Sequence, residues 1–192
     1  MGNAEATQVK ILESALEEFA SYGLAGARVD RIAQQAGCNK NLIYMYFQNK
    51  ETLFRTTLEM NLSRVYEAVP FTPEDLPGFA VRTFDFAMGN PKLMRLLAWF
   101  NLEQKTGSLS VRNASLDTNA ASLLKAQKAG TVGTVFPPSF LITAILSFST
   151  AWTSASPFGM ALDAKAVENP KALRKKIARA VGILIAPHVA VE

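Results

Sequence analysis

Cysteine and histidine are almost missing from this chain of 192 residues, which carries one of each. The lone Cys38 excludes an intrachain disulfide framework and a cysteine-built zinc site. The lone His188 excludes a paired-imidazole metal site. No Ser-His-Asp order, phosphate-binding glycine loop or metal-ligand cluster occurs in the sequence. His188 lies close to the last residue and reads as a solvated or capping group, and Cys38 reads as packing. The chain is therefore expected not to be an enzyme and to use no cofactor. Charge of one sign is also scarce: 20 basic residues face 16 acidic ones, and the net charge is +4. With 49% hydrophobic residues, that balance excludes a disordered chain. Charged residues make up only 19%, a low share that fits apolar surface covered by a partner subunit.

Targeting signals are missing as well. Gly2, Asn3, Ala4 and Glu5 offer neither a basic opening nor an apolar run. Ala6 stands where a myristoylation motif wants Ser or Thr. The uncharged stretch between Lys128 and Asp163 contains no membrane span, which would need about 20 mostly apolar residues. From Phe140 to Leu162 it is broken by Pro157 and Gly159 and crowded with Ser and Thr. A buried or dimer-forming helix is the expectation, in a cytoplasmic protein with no membrane partner.

What the sequence does have is helical periodicity, with no sustained strand alternation. A first helix puts Val9, Ile11, Leu12, Ala15, Leu16 and Phe19 on one side, Lys10, Glu13, Glu17 and Glu18 on the other, and stops at Gly23. A second spans Val29 to Ala36 and ends at Gly37, which tolerates a left-handed stop. Asn39 caps a third, Lys40 to Phe47, and Asn49 a fourth, Lys50 to about Tyr66. Thr72-Pro73-Glu74-Asp75 is a helix start that Pro77 interrupts, so the main helix there is expected from about Gly78 to Gly89. Asn90-Pro91 and Asn169-Pro170 repeat the cap-plus-proline start. Helices are expected at about 112–129 and 138–154, with 130–138 and 156–169 as loops. The fold class expected is all-α: a three-helix N-terminal helix-turn-helix domain, residues 1–50, followed by a larger helical bundle, residues 51–192.

The segment Gly26 to Phe54 carries the functional information. Ala33 is small where two helices would cross, Gly37 sits at the sharp turn and Cys38 plugs it. Leu42, Ile43, Tyr46 and Phe47 fall on one face of the third helix; Lys40, Asn41, Tyr44, Met45 and Gln48 fall on the other. That second face offers a cation, two amides, a phenol and an apolar contact, groups that touch phosphates and base edges in a major groove. Residues 1–50 balance five basic against five acidic side chains. Within 28–50, however, Arg28, Arg31, Lys40 and Lys50 outnumber Asp30, and the other acids are expected on the first helix, away from the groove.

These residues resemble the DNA-binding domain of the tetracycline-repressor (TetR) family of bacterial transcriptional regulators. The matching motifs are Ile32-Ala33, Ala36-Gly37, Tyr44-Met45-Tyr46-Phe47 and Lys50-Glu51-Thr52-Leu53, and the close match covers about residues 8 to 55. The resemblance implies a homodimer that represses transcription at a double-stranded DNA operator and lets go when a small effector binds. Carried over by position, Lys40, Asn41, Tyr44 and Met45 face DNA, while Tyr46 and Lys50 hold phosphates; Asn39 and Gln48 flank the same surface. The sequence departs from the family at the start of the second helix. Ala27 and Arg28 stand where many members have a Ser or Thr cap, a loss of about 1 kcal/mol, and Arg28 is free to reach a phosphate instead.

A recognition helix of eight residues is about 12 Å long and covers only a few base pairs, so specificity needs two copies on a palindrome. The stripe Leu173, Ile177, Val181 and Leu184, together with Phe140 and Phe148 on the uncharged helix, is the expected dimer interface. For the effector, Phe84, Met88, Met94, Leu96, Trp99 and Phe100 supply apolar surface, and Arg95, Asn101, Glu103 and Asn119 supply polar groups, with Trp152 as an opposing wall. The expected effector is medium-sized and mostly apolar with one or two polar groups. The fourth helix is the natural lever between domains. Two alternatives remain: a non-specific structural DNA binder without an effector, and an activator within the same family.

Overall fold

The computed structural model describes residues 2–103 and 109–187; His188 lies outside the described residues. Every regular element among them is helical. The helices are α1 (Gly2–Gly26), α2 (Val29–Ala36), α3 (Lys40–Phe47), α4 (Lys50–Ala68), α5 (Leu76–Gly89), α6 (Pro91–Leu102), α7 (Ser110–Lys128), α8 (Pro138–Thr150), α9 (Gly159–Leu162) and α10 (Pro170–Ile185). A 3-10 turn, Ala164–Glu168, precedes the last. Packing divides the chain into two compact units: Met1–Arg64 with Pro91–Val111, and Val65–Asn90 with Arg112–Glu192.

In the first unit Ile11, Ala15, Phe19, Ile32, Ile43, Leu53, Phe54 and Leu58 are buried. The rings of Phe19 and Phe54 meet edge to face with centroids 5.0 Å apart. α6 packs on α1: Arg95 Nε donates to the Ala20 carbonyl at 2.9 Å and Lys92 pairs with Glu17. α1 breaks at Gly23, whose φ of 65° and ψ of −177° are non-helical, and the Trp99 ring fills the space a side chain would need there. Two positions on α1 differ from the sequence reading. Val9 is exposed rather than inward, and Glu18, expected outside, is buried.

The second unit is organised around Leu76, Phe79, Phe84, Leu123, Leu141, Ile145, Leu173, Ile177 and Val181, with α5 packed on α8 and α10. Capping decides the helix starts. Asp75, not Thr72, begins α5: its carboxylate accepts from Gly78 N–H at 2.9 Å, and Pro77 then sits in the first turn without interrupting the helix. Proline is tolerated there because the N–H it lacks would have no intrahelical partner in a first turn. Asn169 caps α10 through the Ala172 N–H at 3.1 Å. The expected loop 156–169 contains α9 and the 3-10 turn instead. Gly159 allows this, since its amide donates to the Ala151 carbonyl at 3.1 Å, where a Cβ would collide with that same carbonyl.

Candidate nucleic-acid interface

α2 and α3 form a helix-turn-helix whose turn is held by backbone. Gly37 takes the left-handed conformation (φ 68°, ψ 34°) and ends α2, while the Cys38 amide reaches back to the Ala33 carbonyl at 3.0 Å. Asn39 Oδ1 accepts from Leu42 N–H at 2.8 Å and starts α3. Burial of the Cys38 thiol pushes its pKa up, so it is a poor nucleophile at neutral pH. Gln48 closes α3 with φ 64°, the one described non-glycine residue at positive φ. Asn49 Oδ1 then accepts from Thr52 N–H at 2.7 Å and starts α4.

α3 divides into an inner and an outer face. Ile43 and Phe47 are buried, and Leu42 and Tyr46 are half-buried, Tyr46 lying against the Phe47 ring at 6.2 Å. Lys40, Asn41, Tyr44, Met45 and Gln48 are exposed, Met45 at 68%. A thioether and a phenol held in water on a rigid helix lose little by meeting a base edge or a thymine methyl.

The cations around this face are largely engaged within the protein. Lys40 Nζ pairs with Asp30 at 3.1 Å and lies 5.9 Å from the Tyr44 ring. Lys50 Nζ donates to the carbonyls of Ala25 (3.3 Å) and Ala27 (3.2 Å), which leaves one of its three N–H groups for a phosphate. Arg31 pairs with the buried Glu18 at 2.6 Å and lies 4.3 Å over the Tyr22 ring. Its guanidinium is held protonated still more firmly, first by the Glu18 hydrogen bond. Arg28 is exposed and enters none of these pairs. The acid on α1 is thus not remote from the motif, as its sequence position had implied. It lies beneath it.

The eleven residues expected around an effector divide between the two units, with Met94, Leu96 and Phe100 buried and Asn101 exposed in the first. Arg95, Trp99 and Glu103 belong to the first, where Arg95 and Trp99 brace α1 as described. Phe84, Met88, Asn119 and Trp152 belong to the second. Phe84 is core, Met88 is exposed, Asn119 is half-buried, and Trp152 Nε1 donates to the Asp163 carbonyl at 3.2 Å. A cleft of about 540 Å³ in the second unit is lined by none of them; Pro73, Leu76, Pro77, Lys125, Val132 and Ile185 are among its walls. Sequence reading named Asn119 in that unit but missed the polar residues beside it. Arg112, Ser115 and Asn119 share one face of α7 at spacings of three and four. Tyr66 meets that group: burial raises its pKa, while Arg112 and a hydrogen bond with Ser115 pull it back. The spacing was readable; the partner Tyr66 was not.

The expected dimer residues also separate. Phe140 and Phe148 are exposed at 49% and 37%. Leu173, Ile177 and Val181 are at most 3% exposed within the single chain, and Leu184 packs against the same core. Leu173, Ile177 and Val181 close the subunit's own core and have no surface left for a partner, while Leu184 is half-buried. Periodicity marks a buried face without saying what buries it. Among the described residues no cluster of three or more His, Cys, Asp or Glu side chains could hold a metal ion. No described helix is long and apolar enough to cross a membrane.

Comparison with known proteins agrees with this geometry. Residues 11–57 match the family described as bacterial regulatory proteins, tetR family. Residues 75–182 match the tetracyclin repressor-like C-terminal domain. The HTH-type transcriptional repressor SCO4008 of Streptomyces coelicolor is 35% identical over 156 residues, covering 80% of this chain and 81% of that protein. The HTH-type transcriptional repressor NicS of Pseudomonas putida is 32% identical over 108 residues, 53% of this chain and 51% of that one. The crystal structure of the transcriptional regulator SCO4942 from Streptomyces coelicolor superposes with a TM-score of 0.81 at 32% identity, over 95% of this chain and 99% of that one.

Proposed function

The chain belongs to the TetR family of DNA-binding transcriptional regulators, proteins that act as transcription factors and not as enzymes, and from that premise we propose that it is an effector-released repressor working as a homodimer on a palindromic operator. The observation that carries the reading is the outer face of α3, where Lys40, Asn41, Tyr44, Met45 and Gln48 stand exposed on a helix whose other face is anchored. Arg28, Tyr46 and the remaining N–H of Lys50 flank it as phosphate contacts, and Asn39 fixes its start. Eight residues of recognition helix reach about 12 Å, so two copies on a twofold axis are needed for a specific site.

The dimer face proposed is the uncharged side of α8. Phe140, Thr143, Ser147 and Phe148 are exposed along two turns, and Phe136 stacks on Phe140 at 4.7 Å. The outer side of α10 is a poor alternative, because Lys171, Lys175, Lys176 and Arg179 are all exposed there and like charges repel across a twofold axis. The cleft of the second unit has the size of a small-molecule site. With Leu76, Val132 and Ile185 in its walls and Glu74 and Lys125 among its polar groups, it suits a mostly apolar effector carrying one or two polar groups. The effector acts by preferring the conformation that misplaces the two recognition helices.

The test is selection of genomic fragments by purified protein at near-physiological salt, followed by titration of the winners against scrambled DNA. A palindromic site bound about a thousandfold more tightly than scrambled DNA is expected for a specific regulator. Equal binding of all sequences would replace the reading with a structural DNA binder. Location of the site relative to its promoter separates repressor from activator. Filling the cleft with Ala126→Trp is expected to abolish effector release while leaving operator affinity intact.

A further inference from the structure

The start of α2 poses a problem in hydrogen bonding. Its N-cap residue, Arg28, provides no side-chain acceptor for the helix, and Ala27 before it has none to give. The first amides of a helix lack intrahelical partners, and a site that positions DNA-reading residues within fractions of an ångström needs that end held. The holding group comes from another helix. Glu18, ten residues earlier on α1 and only 6% exposed, accepts from the Arg28 amide with Oε1 at 2.7 Å. The same carboxylate takes Arg31 Nε at 2.8 Å and Arg31 Nη2 at 2.6 Å, one turn into α2. Arg31 Nη2 also donates to the Gly26 carbonyl at 3.2 Å.

The connection between α1 and α2 is therefore clasped by charges of both signs. Glu18 takes the Arg28 N–H, while Lys50 at the start of α4 collects the carbonyls of Ala25 and Ala27. A buried carboxylate is costly unless fully paired, so its presence under a surface meant for a polyanion calls for a reason. Its charge is neutralised by Arg31 at 2.6 Å, so the pair presents no net negative charge to a phosphate.

We infer that Glu18 is a positioning residue for DNA recognition: it takes the amide of the N-cap residue Arg28, the donor a capping-box acid would otherwise take, and, through Arg28 and Arg31, sets the angle at which α2, and hence α3, leaves α1. The inference rests on α3 being the DNA-reading helix. Charge-assisted hydrogen bonds from a buried carboxylate are the strong kind, and their directionality is what fixes an orientation.

The test compares wild type, Glu18→Leu and Glu18→Gln for binding to a selected operator and to scrambled DNA, with amide exchange measured at Arg28. Binding is read well below each variant's melting temperature. For Glu18→Leu, operator affinity is expected to fall about tenfold or more, with scrambled-DNA affinity and the salt slope unchanged, and exchange at Arg28 to quicken. Glu18→Gln keeps one acceptor for the Arg28 amide and loses the ion pair, so a several-fold loss of operator affinity is expected with the same signature. It decides the matter if the leucine variant does not fold. A lower melting temperature with an unchanged operator-to-scrambled ratio would make Glu18 merely structural and overturn the inference. Unchanged exchange at Arg28 would do the same. If wild type itself shows no sequence preference, the reading of α3 fails first; if wild type discriminates and both variants discriminate equally, only the role of Glu18 fails.

Discussion

Replacing Gly23 by alanine is the sharpest test of how α1 is shaped. Its φ of 65° with ψ of −177° lies in a region that is essentially reserved for glycine, and holding another residue there costs about 1–3 kcal/mol. A second cost is independent of the first. A Cβ built at Gly23 would lie 2.7 Å from Trp99 Cε3 and 2.8 Å from Cδ2, and the ring cannot retreat without disturbing α6 on α1. Overpacking of that kind costs about 1–3 kcal/mol. Together the two give about 2–6 kcal/mol, a large part of the roughly 5–15 kcal/mol that holds a typical domain. At about 2–4 °C per kcal/mol for a chain of this size, the melting temperature is expected to fall by roughly 10 °C. Urea titration followed by far-ultraviolet circular dichroism reads the loss, and a double-mutant cycle with Trp99→Leu divides it. In the leucine background only the backbone share, about 1–3 kcal/mol, should remain. A Gly23→Ala variant within about 0.5 kcal/mol of wild type would refute both parts; an equal loss in both backgrounds would refute the clash with the ring.

Asn39→Ala removes the acceptor for the Leu42 amide and is expected to cost about 1 kcal/mol of stability, read in the same titration. Arg28→Gln keeps the backbone amide on Glu18 and removes an exposed charge, so it should weaken binding to all DNA alike and lower the salt slope by about one. Since burial raises the Cys38 thiol pKa, less thiolate exists at pH 8 than in a free cysteine. Labelling by a disulfide reagent should be slow there and quicken as pH rises through the elevated value; labelling as fast as free cysteine would contradict its burial. Phe148→Glu puts a charge on the uncharged α8 face and is expected to give a monomer by light scattering, with operator binding lost and helical content kept.

The helix-turn-helix was legible because its signals are local. Gly37 ends a helix by its own φ, Asn39 and Asn49 cap helices three residues ahead of their partners, and the two faces of α3 follow from spacing within eight residues. The start of α5 was less so, since Thr72 and Asp75 are both good caps and only the geometry of Gly78 selects the second. Dimer and effector residues were least legible. Leu173, Ile177 and Val181 form a stripe that would look the same facing a partner or facing α5. Trp99 read as apolar pocket lining and Arg95 as a polar group that would be costly to bury unpaired beside it, yet their partners, Gly23 and the Ala20 carbonyl, lie more than seventy residues away in sequence.

Charge counting failed for a related reason, and the failure bears on how this protein recognises DNA. Four basic residues against one acid in 28–50 promise a strong electrostatic grip. The structure gives Arg31 to Glu18, Lys40 to Asp30 and two protons of Lys50 to backbone carbonyls, leaving Arg28 as the uncommitted cation of the four. Sequence-independent affinity scales with the cations that meet phosphates, not with those present. With Arg31 and Lys50 engaged in shaping the interface's own backbone, less of this charge is left on the proposed reading for a general attraction to DNA. On the proposed reading, discrimination then falls to Asn41, Tyr44, Met45 and Gln48, the side chains able to tell one base edge from another, which is the division of labour a selective regulator requires.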